Sequence, residues 1–322
     1  MSFKLTIRAV LLLSLLVLHG TVFAETYPSK PVKILVGFPP GGATDVIARL
    51  LAQGLSDSMG QPFYVDNRGG ASGTIATGML AKSEPDGYTL ILVPSAHASA
   101  PFLYSKLPYE NKDLVAISMV ASTPYILVVQ PDSPASSLKQ LIEILKMNPG
   151  AYNYASASPG TLQHLGGELF KRSAGVDIVH IPYKGSGALM PDLLAGRIQM
   201  MFENVAVLTP YINSQRLKPL AVTSLKRTSL LPEIPTVSEA GIPGFEAIGW
   251  FAVLAPAGVP QSVINTLNQE INKLTANPQF IKKLRDLGAD PMAGKPAQAQ
   301  DFLKAEEVKW GKIIKESGIK AE

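Results

Sequence analysis

The 322-residue chain contains no cysteine. That excludes disulfides, thiolate catalysis and any cysteine-held metal or cluster. Histidine is almost as scarce, with four in all. No H-E-x-x-H motif occurs, and the histidines do not stand at metal-ligand spacing. An excess of one charge is missing too, with 29 basic against 25 acidic residues and no basic run. This argues against nucleic acid as a partner. Only one long apolar run is present, Ala9 to Leu18. It is about half the roughly 20 residues that a membrane span needs. Lys4 and Arg8 precede it and Val22-Phe23-Ala24 follow, which reads as a Sec signal peptide over residues 1–24, cut after Ala24. No cysteine follows the run to carry a lipid anchor. Taking those 24 residues from 322 leaves 298, with 27 basic against 25 acidic. The expected product is an exported, periplasmic chain of roughly two domains, held together by its core.

What is present is an alternation of short apolar runs with amphipathic stretches. VKILVGF (Val32–Phe38) reads as a buried strand, and Gly42–Met59 as a helix with Val46, Leu50 and Leu51 at helical spacing. PFYVDN is a second strand, GGASGTIATGMLAKS opens a second helix, YTLILVP is a third strand, and SAHASAPFLY is a turn and short helix. This order predicts an α/β fold with a mostly parallel sheet. From Tyr125 to Trp250 the theme repeats as a second α/β unit. YILVVQPDSPASSLKQLIEIL and WFAVLAPAGVPQSVINTLNQEINKL look alike, each with an aromatic, an aliphatic strand, a proline turn and a helix. Two such strand exits imply two crossings between lobes. The expected organisation is a discontinuous first domain, 25–125 plus 251–322, a nested second domain, 126–250, and a hinge. In the C-terminal helix, Phe302, Val308, Ile313 and Ile314 are candidates for a face packed on the first lobe.

Four Gly- or Ser-rich turns precede helices: PPGGATD, RGGASGT, SASPGTLQH and KGSGALMPD. Ligands of α/β sheets sit beyond the carboxyl ends of the strands. Helix amino termini there offer free N–H groups and partial positive charge, and bind carboxylate or phosphate without a lysine. Any one such turn is equally a tight connection needing positive φ. Four of them in an exported bilobal chain point to an anion cleft. Asp45 either complements the start of its helix or orders the loop that meets a ligand, and the two roles are compatible. Glu203, at the end of the otherwise apolar MMFEN, is placed to reach a cleft and accept a hydrogen bond there, or to be simply exposed. Lys184 and Arg197 read as solvated cations.

Enzyme readings find little purchase. Gly185–Gly187 is not a G-x-S-x-G elbow. Ser95 and His97 could form a nucleophile–base pair in an exported hydrolase, but no orienting acid is evident beside them. His164, in the first turn of its predicted helix, faces either the cleft or an interface. His180, inside DIVHIPY, reads as a satisfied strand histidine.

Long ordered stretches resemble the Bug family, the periplasmic solute receptors of tripartite tricarboxylate transporters. They run from YPSKPVKILVGFPPGGATDVIAR through VDNRGGASGTIATGMLAKSEPDGYTLIL, NYASASPGTLQHLGGELF and IPYKGSGALMPDLLAGRIQMMFEN to WFAVLAPAGVP. The resemblance implies a two-lobed Venus flytrap with two crossover strands. It implies no catalytic residue, cofactor or metal. One ligand carboxylate would be held by the first loop, Phe38, Pro40, Gly41, Gly42, Ala43, Thr44 and Asp45. The turn after the third strand would add Ser95, Ala96, Ala98 and Ser99. The second lobe would add Ser156, Ala157, Gly160, Thr161, His164 and Glu203. The ligand would be a di- or tricarboxylate, an amino acid, a hydroxy acid or an aromatic acid. The partners would be membrane transporter subunits, or a membrane sensor's periplasmic domain. The chain departs from the family's usual pattern at Ala100, where asparagine is common, at Pro159, and at Glu203, where aspartate is more usual.

Overall fold

The computed structural model describes residues 27–183 and 186–320. The leader, residues 1–24, and Lys184 and Gly185 of the fourth glycine turn lie outside them. β1 (Val32–Val36) has apolar residues on both faces and is buried on both, as a central parallel strand must be. It pairs in parallel with β2 (Phe63–Asn67) and β3 (Thr89–Pro94). α1 (Ala43–Met59) links β1 to β2. It buries Ile47, Leu51 and Leu55 at four-residue spacing and stops at Gly60, which takes the left-handed conformation of a helix cap. A 3₁₀ turn (Ala71–Gly73) and α2 (Thr74–Ala81) lead to β3, and α3 (Ala96–Leu103) follows it.

β4 (Leu114–Val129) is longer than the sequence reading, which starts a strand at Tyr125. Its first half, LVAISMVAST, interleaves Ser118, Ser122 and Thr123 with apolar residues, so no long aliphatic run marks it. Ser118 and Thr123 are nevertheless buried. This half pairs antiparallel with β9 (Ile248–Pro256) as far as Pro124 opposite Ile248. From Tyr125 onward β4 pairs instead with β7 (Met200–Asn204) and β8 (Lys218–Val222). Around it stand α4 (Leu138–Met147), β5 (Asn153–Ser156), α5 (Leu162–Ala174), β6 (Val179–Pro182), α6 (Ser186–Leu194) and α7 (Val205–Asn213). β5 pairs in parallel with β6 and β7. The strand order is β2-β1-β3-β9-β4-β7-β5-β6. The expectation of a mostly parallel sheet is therefore corrected. The outer pairs are parallel, but β4 and β9 cross in opposite directions and meet each other and their neighbours antiparallel.

One hydrophobic cluster, with Leu35, Ile91, Leu127, Phe170 and Trp310, runs across both lobes, and each lobe also has a cluster of its own. Ile34, Leu51, Leu90, Val253 and Leu267 belong to the first, and Ile126, Leu189, Met201, Leu208 and Val222 to the second. After β9 come α8 (Gln261–Ala276), α9 (Pro278–Asp286), β10 (Asp290–Pro291) and α10 (Pro296–Ser317). α10 buries Leu303, Trp310, Ile313 and Ile314, with Phe302 partly buried. Val308 does not belong to this face, being 73% exposed. It sits two residues from Trp310, roughly 200° around the helix. Among the described residues no helix is long and apolar enough to cross a membrane.

Candidate functional site

The loop after β1 ends at Gly42, the N-cap of α1, whose cap has no side-chain hydrogen bond. The first-turn N–H groups of α1 therefore have no acceptor inside the helix. Asp45 fixes the loop around them. Its side chain is 2% exposed and accepts from the Gly41 N–H (2.9 Å), Arg49 Nε (3.0 Å) and Asn67 Nδ2 (2.9 Å). Asn67 Nδ2 also donates to the Phe38 carbonyl (3.0 Å), closing the loop. The Arg49 hydrogen bond, with help from Gly41 and Asn67, holds the Asp45 carboxyl down to about 2 against the cost of burial. Gly41 has φ +85°, so only glycine takes this position without strain. Gly42 has an ordinary extended φ of −77°.

α3 starts beside this loop. Ser95 is its N-cap, again without a side-chain cap bond, and the Ser99 hydroxyl donates to the Ala96 carbonyl (3.0 Å). His97, on the same turn, faces elsewhere. It stacks on Tyr109 (5.9 Å between centroids, 10°), and burial pushes it down to about 4.

The opposite wall is built without cations among its described hydrogen bonds. In turn Ser156–Thr161, Gln163 Oε1 accepts from the Ala157 N–H (2.8 Å) and the Thr161 hydroxyl (3.3 Å). Its Nε2 donates to Glu203 Oε2 (2.5 Å), so one amide joins the turn to the end of β7. Glu203 Oε1 accepts from the Asn204 N–H (2.7 Å). His164 Nδ1 accepts from the Gly160 N–H (3.0 Å). The His164 ring stacks on His180 (3.7 Å, 8°), whose Nε2 shares a hydrogen bond with Ser156 Oγ (2.7 Å). Burial pushes both imidazoles down to about 4, so they are neutral at pH 7. Asn204 caps α7 through its side chain, which accepts from the Ala206 N–H (2.8 Å).

The two walls enclose a cavity of about 480 Å³. The first loop contributes Phe38, Gly41, Ala43 and Thr44, and the α3 start contributes Ser95, Ala96 and Ser99. Gly160, Thr161 and Glu203 come from the other side. The amino termini of α1, α3, α5 and α7 thus converge on one space. Glu203 is the only formally charged side chain among its described lining residues. The remaining sequence-named residues stand outside the lining. Pro40 and Gly42 are exposed, and Asp45, Ala98, Ser156 and His164 are buried behind the wall, where Asp45 and His164 brace it. Ala157 enters only through its N–H. Of the four glycine-rich turns, two reach the cavity. RGGASGT instead packs Gly73 against Gly37, where a Cβ on Gly37 would lie 2.4 Å from Gly73 Cα. The KGSG turn falls partly outside the described residues. Arg197 pairs with Asp192 at the surface (2.6 Å), as a solvated cation does. Ala100 faces a separate small cavity beside His97 and Tyr109, and Pro159 is exposed.

The sequence reading misses Thr123, Tyr125 and Gly249 at the crossing strands, together with Trp310. Gly249 stands opposite Thr123, and a Cβ there would lie 2.2 Å from Thr123 Oγ1. That close approach is invisible without the pairing of β4 with β9. Burial, reinforced by Glu203, pushes the Tyr125 hydroxyl well above its usual range. Gln163 is missed because a lone glutamine in a helix carries no sequence signal.

Two lobes joined by two crossing strands, with helix termini around a cleft between them, define a solute-binding receptor. A family model described as "Tripartite tricarboxylate transporter family receptor" matches residues 47–319. Protein BugT of Bordetella pertussis is 41% identical over 305 residues, covering 93% of this chain and 93% of BugT. A solved R. palustris structure with adipate is 37% identical, with a TM-score of 0.76, covering 91% of this chain and 99% of that one. MatC from Rhodopseudomonas palustris, with bound malate, is 26% identical, with a TM-score of 0.70, covering 89% of this chain and 100% of that one. The chain belongs to the tripartite tricarboxylate transporter receptor family, a periplasmic family of solute-binding proteins.

Proposed function

We propose that this protein closes on one small carboxylated molecule between its lobes and hands it to membrane transporter subunits. The observation that carries this reading is the convergence of four helix amino termini on a cavity with no described lysine, arginine or histidine in its lining. Such termini hold a carboxylate by backbone N–H groups and partial positive charge. The first loop, from Phe38 to Thr44 and braced by Asp45, holds the carboxylate. Ser95, Ala96 and Ser99 add contacts from the same lobe, and Gly160, Thr161 and Glu203 close from the other. The lobes are 25–125 plus 251–322 and 126–250, hinged where β4 and β9 cross. Contacts made only on closure shift the open–closed population toward the closed state when ligand binds. The chain reaches the periplasm through the signal peptide over residues 1–24, cleaved after Ala24.

The protein acts as a receptor without turning over its ligand. Ser95 lines the central cavity while His97 lies against two others, which supports this reading. Native mass spectrometry of gently purified protein, followed by extraction, tests the reading. A carboxylate recovered chemically unchanged supports it. A hydrolysed product whose formation stops in Ser95→Ala contradicts it.

A further inference from the structure

Two indoles line the cavity, Trp250 on β9 and Trp310 on α10. Both donate their Nε1–H to the same oxygen, Glu306 Oε2, at 2.9 Å each. Glu306 is 4% exposed and is also paired with Lys309, whose Nζ lies 4.6 Å from the centre of the Trp310 ring. The polar handles of the two largest side chains are thus turned onto a carboxylate buried away from the cavity. Both indoles are themselves buried, 0% and 1% exposed, so they form an apolar backing behind the cavity. Phe38, Tyr125 and Leu162, all partly buried, carry the accessible apolar surface in front of them. At its edge stand Val207 and Leu287, 45% and 40% exposed, among the few large apolar side chains left open to water in the described chain. Polar side chains also line the cavity, at the helix starts and at Thr123, Glu203 and Asn204.

We infer that this receptor selects a carboxylate carried on an aromatic body, held between the indole-backed base and the Val207–Leu287 edge, over short polyhydroxy or polycarboxylate acids. This rests on the receptor reading above. The volume fits: about 480 Å³ exceeds the roughly 150 Å³ in which a dry apolar cavity takes up benzene, leaving room for a carboxylate. The chemistry fits as well. A ring covers Val207, Leu287 and the aromatic wall, whereas a tricarboxylate leaves them wet and buries extra charges next to carbon. Ring-to-ring contacts add directionality beyond the buried area.

The test is calorimetric titration of the full mature protein with phenylacetate, adipate, malate and citrate. Phenylacetate binding at least tenfold tighter than malate and citrate is expected. Malate, citrate or adipate binding tighter than phenylacetate overturns the aromatic assignment and leaves the receptor reading standing. Binding of none of the four overturns both. The double variant Val207→Ser/Leu287→Ser changes two exposed residues, so folding is spared. It should weaken phenylacetate about tenfold and leave malate unchanged. An equal loss for both acids, or none, shows that the apolar edge does not select.

Discussion

Loop Phe38–Asp45 on one wall of the cavity and turn Ser156–Thr161 on the other each hold a helix amino terminus in place, the first through an ion pair and the second through neutral imidazoles and an amide that also bonds the Glu203 carboxylate. The first is tied by an ionised aspartate, an arginine and an asparagine. The second is tied by a glutamine and by stacked neutral imidazoles. Both stand at the start of a helix that lines the same space. The difference gives the two walls separate vulnerabilities, although they line one cavity. A charged brace resists acid until its carboxylate protonates, while a neutral imidazole brace yields earlier.

Acidification gives the largest expected contrast. His164 and His180 titrate at about 4 in the folded protein against 6.5 unfolded. As pH falls below 6.5 the unfolded chain binds protons that the native state refuses, so stability drops until about pH 4. Each unit of depression is worth on the order of 1.4 kcal/mol. His97 titrates in the same window, so His97→Gln should be compared with the unaltered protein to isolate the second wall. Asp45 behaves oppositely in position. Its contribution is complete above 3.8 and is lost only as pH falls through about 2. Urea midpoints measured from pH 7 to pH 3 should therefore fall mainly between 6.5 and 4. A flat profile over that window would break the comparison.

Substitutions sharpen it further. Asp45→Ala strands the Gly41 N–H and leaves Asn67 Nδ2 with only the Phe38 carbonyl, and should cost about 2–3 kcal/mol, since hydrogen bonds to charged groups are the strong ones. Gly41→Ala forces a side chain into φ +85° and should cost about 1–2 kcal/mol. Gly42→Ala, at an ordinary φ with only Pro39 O nearby at 3.7 Å, should change stability by no more than about 0.5 kcal/mol. Gln163→Ala on the opposite wall removes one bond to the Glu203 carboxylate and the acceptor of the Ala157 N–H, and should cost about 1–2 kcal/mol. Chemical denaturation reads all four. If Gln163→Ala costs more than Asp45→Ala, the charged brace is not the stronger one.

Much of the architecture is legible in the sequence because aliphatic runs and glycine turns mark β1, β3, α1 and the second α/β unit. The first half of β4 is not, because Ser118 and Thr123 break its apolar pattern although the strand is buried. Val308 misleads for a related reason: an apolar residue in a helix says nothing about its face until the other buried positions are known. The site divides in the same way. The glycine-rich loop announces itself by composition, and ten of the seventeen residues named from sequence line the cavity. Gln163, Tyr125, Gly249 and Trp310 owe their places to pairings between segments far apart in the chain, which no local pattern encodes.

The most direct measurement is tryptophan emission during titration with phenylacetate and, separately, with its neutral amide. Trp250 and Trp310 both line the cavity. The acid should change their emission saturably and be recovered unaltered, while the amide, lacking the anion, should bind at least tenfold more weakly. Equal binding of acid and amide would contradict a carboxylate held at converging helix termini.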